Sequence, residues 1–143
     1  MKHLTFMVGD QFCGVELSSV RELLGYMPFT PLNNGNPAIV GTFDLRGRNV
    51  RVVDLRIRFG RPVTRTDDTV MIVFESAGEL TALIVDHAIG LETVAESSTA
   101  GIIHRSLIEA RFVTNVVTRN DRPLNLLNLA NTLIAPSPMT KAA

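Results

Sequence analysis

The sequence has 143 residues, 45% of them apolar, with 14 basic and 14 acidic side chains. Such a chain buries itself rather than staying disordered, and its size suits one domain or two very small ones sharing a core. Balanced charge excludes a net pull on nucleic acid or membrane, although residues 1–65 carry nine basic and five acidic groups (+4) and residues 66–143 carry five and nine (−4), an asymmetry that can steer partners or copies of the chain head to tail.

Period-two alternation dominates the pattern along the chain. Leu4, Phe6 and Val8 alternate with Thr5 and Met7, and Gly9-Asp10 turns the chain into Phe12 to Val15. Ser19 and Glu22 have capping-box spacing, which predicts a two-turn helix with Val20, Leu23 and Leu24 on one face and a stop at Gly25. Ile39, Gly41, Phe43 and Leu45 predict a strand, Arg46-Gly47-Arg48-Asn49 a turn, and Val50 to Leu55 the returning strand. Val70 to Glu75 and Leu80 to Val85 form a third hairpin about Ala77-Gly78, and Phe112 to Thr118 and Leu124 to Leu127 a fourth about Asn120-Asp121. Residues 95–110 read as a loop with one helical turn. A closing helix runs from its cap Asn128 to Pro136, and residues 135–143 form a tail. Many short strands with regular turns predict small barrels or a sandwich.

An internal echo lies at an offset of 74, which sets Val50 to Leu55 over Leu124 to Leu129, Gly47 over Asp121 and Phe59 over Leu133. In both copies a hairpin leads into Asp or Asn and then apolar residues at helical spacing. Two related half-domains would produce this pattern, and so would chance similarity between two apolar hairpins.

Chemistry is sparse. His3, His87 and His104 stand apart with no second ligand at helical spacing, Cys13 lies among apolar strand residues as an inert buried thiol, and no nucleophile motif accompanies it. No metal or cofactor is implied. Asp54 and Asp86 end strands, where a carboxylate caps the backbone N–H groups of the next turn. A single cysteine cannot form an intramolecular disulfide. No window approaches the roughly 20 apolar residues of a bilayer span, and Met1 to Asp10 lacks the apolar run of a signal peptide. A soluble cytoplasmic protein with no direct membrane insertion is expected. Arg46, Arg48, Arg51, Arg56, Arg58, Arg61 and Arg65 form a basic stretch that a small barrel could offer to single-stranded nucleic acid, but the chain has one Tyr and no Trp to stack bases. An adaptor is therefore the default over an enzyme, with a nucleic-acid-binding barrel as the alternative.

The segment Gly41-Thr42-Phe43-Asp44-Leu45-Arg46-Gly47, followed by Val52-Val53-Asp54-Leu55-Arg56-Ile57-Arg58-Phe59-Gly60, resembles the signature of the CheW family, G-V-x-N-L-R-G and then P-V-V-D-L-R-x-R-F-G. Phe6 to Val15 resembles the opening F-x-L-G-x-E-x-Y-G-I, Val20-Arg21-Glu22-Leu23 resembles V-x-E-I, Leu83 to Asp86 resembles G-L-x-V-D, and Leu124 to Leu133 resembles the closing L-L-x-x-x-L-L. The resemblance covers residues 3–134. It implies a mainly β domain of two small SH3-like five-stranded barrels sharing a core, the first at roughly 16–85 and the second at roughly 3–15 plus 86–134.

It also implies a non-catalytic coupling adaptor of bacterial chemosensory arrays. One surface would hold the regulatory domain of a CheA-type histidine kinase. A groove between the barrels would hold the helical tip of a chemoreceptor, and further contacts would join other CheW-like domains. On this resemblance Val20, Val70 and Leu91 line the receptor groove, Gly41 lets the backbone there be approached, and Arg46 pairs with Glu22; the competing role of Glu22 is as capping partner of Ser19. The hairpin tip Gly47-Arg48-Asn49 falls to the kinase side. Asp44, Arg51, Asn33, Asn115 and Ala82 depart from the family pattern and mark a divergent member.

Overall fold

The computed structural model describes residues 1–33, 35–94, 108–119 and 121–134. Alternating apolar residues in β1 (Lys2–Val8) and β2 (Gln11–Glu16) form the first hairpin, which buries Phe6, Val8, Cys13 and Val15. A 3-10 turn at Leu17–Ser19 leads into β3 (Val20–Gly25) and the two-residue β4 (Thr30–Pro31). The second hairpin is β5 (Ile39–Leu45) and β6 (Arg48–Asp54), followed by one helical turn, α1 (Leu55–Arg58). β7 (Val70–Ser76) and β8 (Glu79–Val85) make the third, and β9 (His87–Thr93) follows after one residue. A 3-10 turn at Ala110–Phe112 precedes β10 (Val113–Arg119) and β11 (Arg122–Leu127), and α2 (Leu129–Ile134) ends the described chain.

The strands form two sheets. One has five strands in the order β10-β11-β2-β1-β9, the other six in the order β3-β7-β8-β6-β5-β4. This mainly β, two-sheet arrangement fits the SH3-like expectation. The echo at 74 is structural: β5 and β10 share length and offset, and both hairpins lay their second strand parallel to a neighbour, β6 on β8 and β11 on β2. Without the outer strand β4, the two sheets have the same strand arrangement, and among the described residues β3 and β9 occupy equivalent edges. Between the sheets lies a shared core. Leu4, Phe6, Val8 and Val15 come from one side, Val53, Ile72, Phe74, Leu83 and Val85 from the other, and Phe112 from the turn before β10. Each fully buried Phe contributes roughly 1.5–3 kcal/mol relative to exposure.

Two local expectations are corrected. The capping-box helix is absent: Val20–Gly25 is a strand whose backbone pairs with β7, from Val20 opposite Phe74 to Gly25 opposite Val70. A ladder of sheet hydrogen bonds, with Glu22 drawn to Arg46, outcompetes a single cap. The second hairpin also turns more tightly than expected. Only Arg46 (φ 50°) and Gly47 (φ 87°) lie outside the strands, both in the left-handed region that two-residue hairpin turns require. Asp44, where the family pattern has Asn, accepts the Gly47 N–H at 3.2 Å and braces that turn. The predicted closing helix forms, with the Asn128 side chain accepting the Asn131 N–H at 3.1 Å. The loop assigned to residues 95–107 and the tail at 135–143 lie outside the described residues; the described part of 95–110 ends in the 3-10 turn at Ala110–Phe112.

Candidate functional site

Among the described residues β3 and β9 each form the edge of a sheet with no further strand beside them, and at each edge the apolar core face continues outward. On β3, Val20 and Leu23 stand opposite the core residues Phe74 and Ile72, so they share the core-facing side. Val70 lies on that side too, opposite Val85 and next to Gly25, and packs partly against the core. On β9, Leu91 stands opposite the core residue Leu4. Leu23 is 46% exposed, Ile89 48% and Leu91 54%. Large apolar side chains this open, repeated at equivalent edges, offer a surface for a partner's apolar side chains.

The expected site residues divide accordingly. Val20 and Val70 share one inner face, and Leu91 occupies the equivalent edge of the other sheet. Gly41 does not join them. It is buried on β5, and a Cβ there would meet the Thr30 carbonyl at 2.3 Å and the Phe29 ring at 2.4 Å. The close approach that requires glycine is made by the chain's own residues. Glu22 and Arg46 form a bidentate pair that ties the hairpin turn to β3. Arg48 of the tip bonds Glu75 at 3.1 Å and the Gly78 carbonyl at 3.1 Å, while Arg21 on β3 bonds the same Glu75 at 2.5 Å. Arg48 first, and then Arg21, hold the Glu75 carboxyl below its ordinary value. Beside the tip lies a depression of about 440 Å³ lined by Leu32, Thr42, Arg48, Asn49 and Arg51 among others.

The basic stretch is largely taken up within the fold. Arg46 pairs with Glu22, Arg48 with Glu75, Arg56 with Asp54 and Asp86, and Arg61 with Asp10. Arg65 stacks over Tyr26, 4.2 Å from the ring centroid, and Arg51 bonds Thr81 across the parallel pair. Arg58 is buried beside Phe112, and burial, with the like charges of Arg111 and Arg51, pushes its guanidinium down to about 10. Arginines committed in this way do not form the free cationic strip that tracks a phosphate backbone.

Asp54 caps α1 as expected, its Oδ1 accepting the Arg56 N–H at 2.9 Å. Asp86 does something else. Instead of capping the turn that follows it, it reaches back 77 residues to accept the Gly9 N–H at 2.5 Å. Its other oxygen takes the Arg56 guanidinium at 3.1 Å, so Arg56 lies between two carboxylates with only 2% of its surface exposed. The exposed, core-facing position of Leu23 at the sheet edge was hidden from sequence reasoning by the helix assignment, and the exposed edge strand β9 had no clear alternation to mark it. Among the described residues, no group of three or more His, Cys, Asp or Glu could hold a metal ion, and no helix is long and apolar enough to cross a membrane.

A family model described as CheW-like domain matches residues 2–136. The chain belongs to the CheW family. It is 30% identical to the chemotaxis protein CheW of Rhizobium meliloti, covering 99% of this chain and 97% of that one. It is 28% identical to a probable chemotaxis protein CheW of Rhizobium etli, covering 88% and 83%. The crystal structure of the scaffolding protein TtCheW from Thermoanaerobacter tengcongensis superposes with a TM-score of 0.85 at 23% identity, covering 97% of this chain and 92% of that one, and shows the same fold. Within this CheW-family fold the Asp and Arg of V-V-D-L-R form the buried pair, and the Arg of L-R-G forms the surface pair.

Proposed function

We propose that this CheW-family protein is a non-catalytic adaptor that couples chemoreceptors to a CheA-type histidine kinase in bacterial chemosensory signalling. The observation that carries the reading is the pair of equivalent sheet edges with core-facing leucines, Leu23 and Leu91, that are exposed among the described residues. An amphipathic receptor hairpin has the apolar stripe to cover them. Val20, Val70 and Leu91 form the receptor groove in this reading. Glu22 and Arg46 hold its β3 side in place, and Gly41 supports it indirectly through Phe29 and Thr30. The tip Gly47-Arg48-Asn49 faces the regulatory domain of the kinase, and other CheW-like domains extend the array. Residues 3–134 act as one CheW-like domain, divided near Glu16 and Asp86 into two barrel-like units. The protein works in the cytoplasm, recruited to membrane-associated receptor arrays. The relatives' names as chemotaxis and scaffolding proteins support this role.

The test is a titration against the isolated CheA regulatory domain and a soluble receptor fragment at low and high salt. Micromolar, salt-tolerant binding to both is expected, since apolar contacts survive screening. Leu91→Asp should abolish receptor binding and leave kinase binding and circular dichroism unchanged. Its open position makes it a cleaner probe than Val20, which packs on the core. Undiminished receptor affinity in the folded variant removes the groove assignment.

A further inference from the structure

We propose that Arg56 and Asp86 are positioning residues for the two apolar edges: they set the angle between the sheets, and with it the separation of β3 from β9, without touching a partner. The functional consequence rests on the receptor-groove reading above; the geometry does not.

Asp86 is the single residue between β8 of one sheet and β9 of the other. Three bonds fix it. Its N–H donates to the Met7 carbonyl at 2.9 Å, one carboxylate oxygen accepts the Gly9 N–H at 2.5 Å, and the other accepts from Arg56 at 3.1 Å. Met7 and Gly9 belong to the first hairpin in the five-stranded sheet, whereas Arg56 is anchored beside the six-stranded sheet. There it bonds both oxygens of Asp54, at 2.9 and 3.1 Å, and the Thr64 carbonyl. Asp86 therefore joins the sheets through its side chain as well as through the backbone. A second tie runs alongside: Arg61 bonds Asp10 at 2.7 Å, and its stem lies where a Cβ on Gly9 would come within 3.2 Å.

The lever arm is short. At about 3.3 Å per residue Leu91 lies roughly 16 Å along β9 from Asp86, so a tilt of about 10° at the joint moves Leu91 by about 3 Å. β9 is bonded to β1 along its length, so the whole five-stranded sheet moves with it. Removing the Asp86 carboxylate takes away the acceptor of the Gly9 N–H and one of the two carboxylates around Arg56. The Asp54 pair, which lies on the six-stranded side, stays intact.

The experiment uses the full chain with spin labels on Arg21→Cys in β3 and Thr93→Cys in β9, both exposed positions, while Cys13 is buried and does not compete for label. Pulsed dipolar spectroscopy then reads the separation of the edges with no partner present. Asp86→Ala should shift the mean distance by about 4 Å, the displacement that the same tilt gives at Thr93, roughly 23 Å along β9 from Asp86, and broaden the distribution. Asp86→Asn, which keeps an oxygen for Gly9 but loses the charge for Arg56, should shift it less in the same direction. An unchanged distribution in a variant whose melting temperature has fallen overturns the proposal, because that pattern describes a merely structural residue. If Asp86→Ala does not fold, Asp86→Asn decides by the same criterion. A shifted distance with unaltered receptor affinity supports the positioning role and counts instead against the groove reading.

Discussion

Gly41→Ala isolates one contact. The added methyl carbon would sit 2.3 Å from the Thr30 carbonyl oxygen and 2.4 Å from a Phe29 ring carbon, against an ordinary contact distance of 3.4–4 Å. The overlap is at least 1 Å with each atom. Phe29 can rotate, but the Thr30 oxygen is backbone in β4, which is held to β5 by pairing of Thr30 with Thr42 and Pro31 with Gly41. The two-residue strand must peel away, taking with it Phe29, which packs against the core of the six-stranded sheet. Overpacking costs about 1–3 kcal/mol, and each hydrogen bond lost adds about 1 kcal/mol. The sum, about 2–4 kcal/mol, is a large part of a stability of about 5–15 kcal/mol. With a urea slope near 2 kcal/mol/M, the unfolding midpoint should fall by about 1–2 M. Urea denaturation followed by circular dichroism measures this, and hydrogen exchange should report faster opening of residues 26–32. A wild-type midpoint and unchanged exchange, combined with lost receptor binding, would refute the reasoning and make Gly41 a direct partner contact.

Arg56→Met leaves the buried Asp54 and the partly buried Asp86 without their shared cation, and should cost about 3–5 kcal/mol in a urea titration; a smaller loss than Glu22→Gln at the exposed pair would contradict the burial argument. Burial pushes the Cys13 thiol up, so the native protein should resist thiol reagents at pH 8 and label only as fast as it unfolds. Rapid labelling without denaturant would show an open first hairpin. The Glu75 carboxyl is depressed by Arg48 and Arg21, so its contribution is fully present above the ordinary glutamate value of 4.5 and is lost as pH falls through the lower folded value. Acid titration of wild type and Glu75→Gln should show their stabilities converging below pH 4.5, a convergence that 1 M salt weakens. Curves that stay parallel to low pH would place Glu75 outside the arginine network.

The hairpins were legible in the sequence because short apolar stretches, alternating in β1 and continuous in β7 and β8, are separated by turns on Gly, Asp or Asn. The repeat at 74 was legible for the same reason, because β6 and β11 fill matching places. Edge strands were harder to read. Leu23 and Leu24 look like a helix face when read locally, and only pairing with β7 makes them a strand. β9 carries an irregularity against β1 that sets Leu91 opposite Leu4 but Ala88 opposite Phe6, so no single alternation runs through it, and Ile89 and Leu91 stay exposed. For the site, Glu22–Arg46 followed from the resemblance and Asp54 from its position before a turn. The bond from Asp86 to Gly9 spans 77 residues and depends on how the sheets meet, which no local pattern encodes.

The way the strands are divided between the sheets bears on how the chain folds as it is made. Every strand of the six-stranded sheet lies in one uninterrupted stretch, from Val20 to Val85, so that sheet can close as soon as this stretch leaves the ribosome. The five-stranded sheet draws β1 and β2 from the first residues and β9, β10 and β11 from the later ones. Its first hairpin must leave Phe12 without its partners Val117, Leu124 and Leu126 until the last hairpin, whose Asn125 amide bonds the Phe12 carbonyl at 2.8 Å, has been synthesised. Long-range closure of this kind is slow and open to misassociation. The finished six-stranded sheet supplies the other half of the shared core, and it gives the waiting hairpin an apolar surface on which to dock.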